Sequence, residues 1–192
     1  MEDYNILDCK TKEEFYDWLK ENHDKEDECF LECKKGKIKS DSNTLYYVDG
    51  VYMALCFGWI DSTHKVIDGK RYQRFSPRKK NSHWSELNKA RCIWLIQNKL
   101  MTKSGADILP DLDEELKINE DILKELKKDK EIFENFENFP ELYKRVRIGN
   151  IQREKKKSEA YNKALKHFLE ETKKNNIYGD WDDNGRLSDI YN

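Results

Sequence analysis

The sequence lacks the features that send a chain into or across a membrane. Its longest apolar run, Tyr52 to Ile60, is far too short to span a bilayer. The start of the chain, MEDYNILDCK, is acidic and has neither the basic nor the apolar region of a signal peptide. We therefore expect a cytoplasmic protein without membrane insertion.

The cysteines lack the spacing of a disulfide framework or a zinc ribbon. Their number, five, is odd, and the repeated close pairs that either structure needs are missing. The four histidines are scattered, so a metal site built on Cys29 and Cys33 has no second pair of ligands. We expect reduced thiols, no metal and no cofactor. The cysteines are Cys9, Cys29, Cys33, Cys56 and Cys92.

An excess of one charge sign is also missing, although 39% of the residues are charged. The 36 Lys and Arg residues nearly balance the 38 Asp and Glu residues, so net charge does not identify a partner. The aromatic content of 12% is higher than disordered chains contain. A chain of 192 residues with this composition is expected to fold around one core and to add an appendage.

Local signals predict helices and a hairpin in the N-terminal part of the chain. Thr11 and Glu14 have the spacing of a capping box, which predicts a helix over residues 12–22. Asp68-Gly69 predicts the turn of a hairpin, because glycine tolerates positive φ there. The other predicted elements are a strand at 28–33, a buried central helix within 44–59, hairpin strands at 59–67 and 70–76, and a helix from Ser82 or Ser85 to about Met101.

Beyond Gly105 the composition shifts to charged and polar residues, which marks a boundary. Pro110 and Asp111 are typical of a helix start, Pro140 interrupts a helical pattern, and the last amphipathic helix covers residues 160–169. No internal repeat is visible.

We predict an α+β core domain over residues 1–105, a helical region over 106–175 and a flexible tail over 176–192. The fold is α+β, a small antiparallel sheet packed by helices and followed by a helical C-terminal extension.

Three linked motifs resemble those of a known family. They are Ala54-Leu-Cys-Phe-Gly-Trp-Ile-Asp61, Tyr72-Gln-Arg-Phe-Ser-Pro-Arg-Lys79 and Ser82-His-Trp-Ser-Glu-Leu-Asn88. They resemble the YdeI/OmpD-associated family, whose C-terminal helical region the stretch from Asn119 to Lys174 also resembles. The chain departs from the family pattern at Ser62, where glycine commonly follows the aspartate, and in its short link between Met101 and Asn119. The resemblance implies a role in bacteriocin protection or envelope stress, without an implied mechanism.

A basic segment over residues 70–80 runs into a predicted helix start, and this arrangement favours anion binding. The helix start offers unpaired N–H groups and the positive end of its dipole, and guanidinium groups grip two oxygens at once. The predicted ligand-binding residues are Arg74, Arg78, Ser82, Trp84, Ser85 and Asn88. Their ligand would be an anionic small molecule or nucleic acid. In the alternative reading, the cations cover a sheet edge, the serines only cap the helix and Trp84 packs.

Two other functions remain open from the sequence. An enzyme would have its site where the central helix meets the hairpin, at Trp59, Asp61, His64 and Tyr72, because an acid beside an imidazole can transfer protons. The same residues can instead stabilise a turn or face solvent, and Cys56 is expected in the core. A scaffold would bind a protein partner through the C-terminal helices. A binding protein is the preferred interpretation, and catalytic residues are not assigned.

Overall fold

A computed structural model describes residues 4–37 and 44–191. Two parts of the sequence-based predictions lie outside the described residues. They are residues 1–3, which belong to the segment compared with a signal peptide, and Asn192 of the predicted tail. The chain divides into two compact units, an N-terminal unit of Met1–His83 with Cys92–Pro110 and a C-terminal unit of Trp84–Arg91 with Asp111–Asn192. The domain boundaries predicted at residues 105 and 175 stay predictions.

The N-terminal unit contains a four-stranded mixed sheet in the order β1-β2-β4-β3. Its strands are β1 (Ile6–Leu7), β2 (Cys29–Leu31), β3 (Trp59–Ile67) and β4 (Lys70–Pro77). The three longer strands are antiparallel, as predicted, whereas β1 adds a parallel pair with β2. The α+β fold class is confirmed. Strand β1 was not predicted, because a strand of two residues has no alternating pattern of apolar and polar residues.

Helix α1 (Lys12–Asn22) has the predicted bounds because its capping box forms. The Glu14 N–H donates to Thr11 Oγ1 at 3.2 Å, and the Glu14 carboxylate accepts from the Thr11 N–H at 3.3 Å. The helix buries Phe15 and Leu19 completely. Phe15 packs against Phe75 of the sheet, with 5.2 Å between ring centroids.

Helix α2 (Tyr47–Cys56) is the buried central helix, with seven buried residues, and it is shorter than the predicted 44–59. Its end is set by Gly58, whose φ of +75° is left-handed, and Trp59 then begins β3. The hairpin turn at Asp68 and Gly69 has two positive φ angles, 49° and 77°, as the sequence predicts.

The segment after the hairpin differs from the prediction in three places. Helix α3 (Glu86–Gln97) ends before Met101, because Lys99 adopts a positive φ of 57°. A short helix, α4 (Lys103–Ala106), was not predicted, and the Thr102 side chain caps it. The helix start predicted at Pro110 and Asp111 is wrong, since the next helix begins only at residue 120.

The C-terminal unit is helical and has its own apolar core. Its helices are α5 (Glu120–Lys127), α6 (Lys130–Asn138), α7 (Glu141–Arg153) and α8 (Ser158–Lys173). Pro140 separates α6 from α7 and is the N-cap of α7, as its missing N–H requires. Phe136 and Phe168 meet edge to face at 6.2 Å in this core.

The segment after α8, residues 176–191, has turns and no helix or strand. It nevertheless buries Leu187 and Ile190, which are 0% and 2% exposed. Its predicted flexibility stays a prediction. No helix in the described part of the chain is long and apolar enough to cross a membrane.

Candidate functional site

Arg74 and Arg78, the two arginines of the predicted anion site, both hold protein groups. Arg74 Nε lies 2.5 Å from Glu28 Oε2, and Arg74 Nη1 donates to Ser62 Oγ at 3.1 Å. Arg78 is half-buried, donates from Nη2 to the His83 carbonyl, and has a pKa lowered by that burial. A ligand at these arginines would have to compete with the protein's own acceptors.

The serines and the residues that follow them divide between the two units. Ser82 belongs to the N-terminal unit, and its buried hydroxyl has no hydrogen-bond partner among the described residues. Trp84, Ser85 and Asn88 belong to the C-terminal unit, where Ser85 Oγ accepts from the Asn88 N–H at 3.2 Å. The Ser85 cap is therefore observed, and the anion site predicted from all six residues stays a prediction.

The alternative site residues have separate partners. Trp59 is 1% exposed, and its indole Nε1–H donates to the His23 carbonyl at 3.0 Å. Asp61 accepts from the Tyr47 hydroxyl at 2.5 Å.

His64 is exposed, and its Nε2 lies 3.2 Å from the Lys35 ammonium nitrogen. Its pKa is lowered, first by desolvation and then by the positive charges of Lys35 and Arg71. The opposing pull of Asp61 is the weakest of the influences on this imidazole. The hydrogen-bond partner of Asp61 is therefore Tyr47, whereas the imidazole of His64 has Lys35 as its neighbour.

Tyr72, the fourth of these residues, lines a cleft of about 560 Å³ in the N-terminal unit. The cleft lies where the parallel strands β1 and β2 end and where β4 begins. Leu45, which precedes α2, lines another part of it. The lining residues are Ile6, Leu7, Asp8, Cys9, Lys10, Glu32, Cys33, Lys34, Thr44, Leu45, Lys70 and Tyr72.

Two similar pentapeptides supply most of this lining. Ile-Leu-Asp-Cys-Lys ends at Lys10 and Phe-Leu-Glu-Cys-Lys ends at Lys34. They lie side by side, because Ile6 pairs with Phe30 and Leu7 with Leu31 in the parallel ladder. At each strand end the chain therefore presents an acid, a thiol and a lysine in the same order. This short similarity is the signal that was missed in the sequence.

The lysines of the cleft have different surroundings. Lys10 pairs with Asp8, whose pKa is lowered by this hydrogen bond and charge. The Lys34 ammonium lies 5.6 Å from the Tyr46 ring centroid, and its backbone is fixed by hydrogen bonds to Leu45 and Tyr47. Within the described part of the chain, neither Lys34 nor Lys70 forms an ion pair. The charge of Lys70 nevertheless acts on the Asp8 carboxylate and contributes to its lowered pKa.

The two thiols of the cleft are protonated near neutral pH. Burial raises the pKa of Cys9 to about 11, and the charges of Glu14 and Asp8 act in the same direction. Burial likewise raises the pKa of Cys33 to about 12. All five cysteines are free, and the described residues contain no group of three or more side chains able to hold a metal ion.

A second concavity, about 570 Å³, lies within the C-terminal unit along α5, α6 and α8. Its apolar lining includes Ile132, Leu165 and Leu169. At one end the Tyr161 hydroxyl donates to Asp121 at 2.6 Å, and burial and this carboxylate raise the pKa of Tyr161 to about 12. The protein-partner interpretation of these helices stays a prediction.

Residues 7–108 match the model of a domain of unknown function, DUF8412, which covers a little more than half of the chain. The chain belongs to this family. Residues 115–175 match a second model, OmdA, described as Bacteriocin-protection, YdeI or OmpD-Associated, which confirms the resemblance seen in the sequence. The three motifs quoted for that resemblance lie in the first match, and the stretch from Asn119 to Lys174 lies in the second. No curated protein and no solved structure matches the chain.

Proposed function

We propose that this protein protects against bacteriocins or related stress from the cytoplasm, by binding a small anionic ligand in the cleft of its N-terminal unit. The observation that carries the proposal is the pair of parallel pentapeptides, which brings Lys10 and Lys34 to one cleft with Lys70. The match to the OmdA family, whose description is bacteriocin protection, supports the biological role, and the free cysteines support the location.

The charges of the cleft favour an anion over a cation. Three lysines face two acids, Asp8 and Glu32, and one lysine is already paired with Asp8. Helix α2 begins beside the lining residue Leu45, and the side chain of its N-cap residue Tyr46 does not cap the first backbone N–H groups of the helix. The positive end of that helix adds to the potential of the lysines, although Asp49 in its first turn reduces this effect.

The size and lining of the cleft fit a small organic anion. Ligand pockets typically enclose about 300 to 1,000 Å³ and combine apolar walls with a few polar groups. Here Ile6, Leu7 and Leu45 form apolar wall, and Tyr72 offers a ring and a hydroxyl. The raised pKa values of Cys9 and Cys33 favour binding over thiolate chemistry, because a protonated thiol is a poor nucleophile.

The test is a thermal-shift titration of the full chain with inorganic phosphate, nucleotides and small carboxylates. A ligand that binds only the folded state raises the melting temperature, and the stabilisation grows with the logarithm of the ratio of free ligand to Kd. We expect a rise with one class of anion, and loss of that rise in the double variant Lys34→Ala and Lys70→Ala. The rise should also shrink with added salt, because charge pairing near the surface is screened.

A matched control removes the same charge elsewhere in the unit. Lys20 and Lys103 are exposed and do not line the cleft, so the double variant Lys20→Ala and Lys103→Ala should keep the ligand response. If no anion shifts the melting temperature of a cooperatively melting protein, or if both double variants behave alike, the proposal is wrong.

A cellular assay tests the role separately. Expression of the chain in a bacteriocin-sensitive strain should raise survival, and the Lys34→Ala and Lys70→Ala variant should lose most of that gain at equal protein level. Cell fractionation of the same strain checks the cytoplasmic location. Ligand binding without any protection would leave the cleft assignment standing and would refute the role.

A further inference from the structure

The C-terminal segment, residues 176–191, is held on the C-terminal unit by arginines. Asp183 makes a two-pronged ion pair with Arg91, in which Nε and Nη2 each lie 2.8 Å from a carboxylate oxygen. Both side chains are buried, at 9% and 1% exposure, and Asn88 accepts a further hydrogen bond from Arg91 at 2.8 Å. This is the geometry in which guanidinium recognises carboxylate most strongly.

Arg147 holds the beginning of the same segment. Its guanidinium lies 4.4 Å from the Tyr178 ring centroid and 5.3 Å from that of Tyr143, and Nη2 donates to the Tyr178 carbonyl. The next residue, Gly179, has a φ of +70°, and a Cβ there would lie 2.5 Å from Arg147 Nη2. A side chain at position 179 would therefore have to push aside the end of the Arg147 side chain and adopt a left-handed backbone conformation.

A third arginine holds the end of the segment. Arg145 of α7 places its guanidinium 4.3 Å from the Tyr191 ring centroid. Between these contacts, Trp181 meets Tyr143 edge to face at 5.7 Å, and Leu187 is fully buried. Three aromatic side chains and one carboxylate of the segment thus contact a surface of arginines and Tyr143.

The backbone of the segment is strained where it is held. Asp183, Asn184 and Tyr191 have positive φ angles of 51°, 60° and 68°. Aspartate and asparagine adopt such angles more readily than other residues, so the strain falls mainly on Tyr191, where it costs about 1 to 3 kcal/mol and persists only because surrounding contacts impose it. The segment has no helix or strand, so side-chain contacts hold much of it. A ligand held in this way can be displaced by one that makes the same contacts without the strain.

The segment is also opposite in charge to its surface. Residues 176–192 contain four aspartates and one arginine, while the surface presents Arg91, Arg145 and Arg147, of which Arg145 is also paired with Glu86 and Glu141. The arginines at 145 and 147 lie within the OmdA match, which ends at residue 175, before the segment begins.

We propose that the surface formed by Arg91, Tyr143, Arg145 and Arg147 is a peptide-binding surface and that residues 176–191 are its internal competitor. The partner is an acidic segment of another protein that carries an aromatic residue a few positions before a carboxylate, as Tyr178 and Trp181 precede Asp183. Binding displaces the internal segment. This proposal concerns the C-terminal unit and is independent of the anion cleft.

The experiment uses a fluorescein-labelled peptide with the sequence of residues 176–192 and the full chain, and it measures fluorescence anisotropy. Two variants weaken the internal segment at different points. Asp183→Asn removes the charge that pairs with Arg91, and Gly179→Ala places a methyl group against Arg147 without any change of charge. We expect each variant to bind the peptide at least about tenfold more tightly than the unaltered chain, a difference of about 1.4 kcal/mol.

Three controls separate the proposal from general unfolding. A peptide with Tyr178→Ala and Asp183→Asn should not bind, and Arg147→Ala added to the Asp183→Asn chain should abolish binding of the original peptide. Circular dichroism must show that both weakened chains keep their helices. Folded weakened chains that fail to bind the peptide would overturn the proposal. Concentration-dependent dimers in place of peptide binding would also overturn it, by assigning the exchange to a second copy of the chain.

Discussion

The two units of this protein are stabilised in different ways. The N-terminal unit is stabilised by apolar packing, in which Phe15 of α1 contacts Phe75 of the sheet and Trp59 of β3 is buried. Of the five buried charged residues in the described chain, four lie in the C-terminal unit, namely Lys89, Arg91, Arg145 and Asp183. Apolar cores tolerate changes that keep volume, whereas buried ions need their specific partners. The two units should therefore respond differently to the loss of one group.

The largest expected effect is loss of one member of the buried pair in the C-terminal unit. Arg91→Ala leaves the Asp183 carboxylate buried without its counter-ion, which typically costs about 3 to 5 kcal/mol. The loss in the free energy of unfolding is measured by denaturing the protein chemically and recording hydrogen exchange in peptides from α7 and α8. As a control, Lys130→Ala breaks an ion pair with exposures of 89% and 59%, and should cost less than about 0.5 kcal/mol. Equal losses of stability in Arg91→Ala and Lys130→Ala would contradict the conclusion that the buried pair stabilises this unit.

A steric change tests the packing of the N-terminal unit. A Cβ at Gly105 would lie 2.3 Å from the Cys56 carbonyl oxygen and 2.8 Å from its carbon, so the backbone of α4 must move. We expect Gly105→Ala to cost about 3 kcal/mol in the free energy of unfolding, as overpacking of a close contact does. Gly69→Ala meets nothing within 4 Å and should cost only about 1 kcal/mol, from its positive φ. Urea unfolding of both variants measures the two losses. A larger loss of stability in Gly69→Ala than in Gly105→Ala would contradict the prediction.

Alkaline pH should act on the N-terminal unit through its thiols, since every cysteine lies there. Burial raises the pKa of Cys56 to about 12 and that of Cys9 to about 11, from an ordinary 9.0. Because the folded state holds these protons more tightly than the unfolded state, the stabilisation is full below about pH 9. It is lost as the pH rises towards 11 to 12.

The measurement is the urea midpoint of the N-terminal unit at several pH values between 8 and 11. We expect the midpoint to fall as pH rises, and to fall less in Cys9→Ser, which lacks one of the titrating thiols. An identical decline in both chains would assign the alkaline loss to other groups.

The smallest effect is expected at the capping box of α1. Thr11→Ala removes the acceptor of the Glu14 N–H and should lower the free energy of unfolding by about 1 kcal/mol. In a double-mutant cycle with Glu14→Ala, the two losses should not add, because each residue satisfies the backbone of the other. Additive losses would show that the reciprocal contact contributes little.

Local signals predicted the parts of the fold that depend on neighbouring residues. The capping box at Thr11 and the turn at Asp68-Gly69 each act over four residues or fewer, and both elements form with nearly the predicted bounds. Strand β1 and the cleft were missed because they depend on pairing between distant segments. The similarity of the two pentapeptides was readable, but only their parallel pairing gives it meaning.

The C-terminal segment is a second case in which contacts between distant residues could not be predicted from the sequence. Its glycine, asparagine and aspartate content is typical of a frayed end, and this composition gave the prediction of flexibility. The burial of Leu187 and the pairing of Asp183 with Arg91 join residues that are far apart in the chain. A sequence shows which residues can pair, and it does not show which distant partner is near.

The buried side-chain amide of Gln73 in the sheet should restrict which sequences relatives of this protein can have in β3 and β4. The register of β3 and β4 is irregular between Asp61 and His64, and the Gln73 side chain donates to the Ser62 carbonyl at 2.9 Å inside that irregularity. The amide of Gln73 thus supplies a donor that the regular ladder would otherwise provide. A relative that loses one residue from β3 has no carbonyl in that position to satisfy. Strand length and the residue at position 73 should therefore change together during evolution.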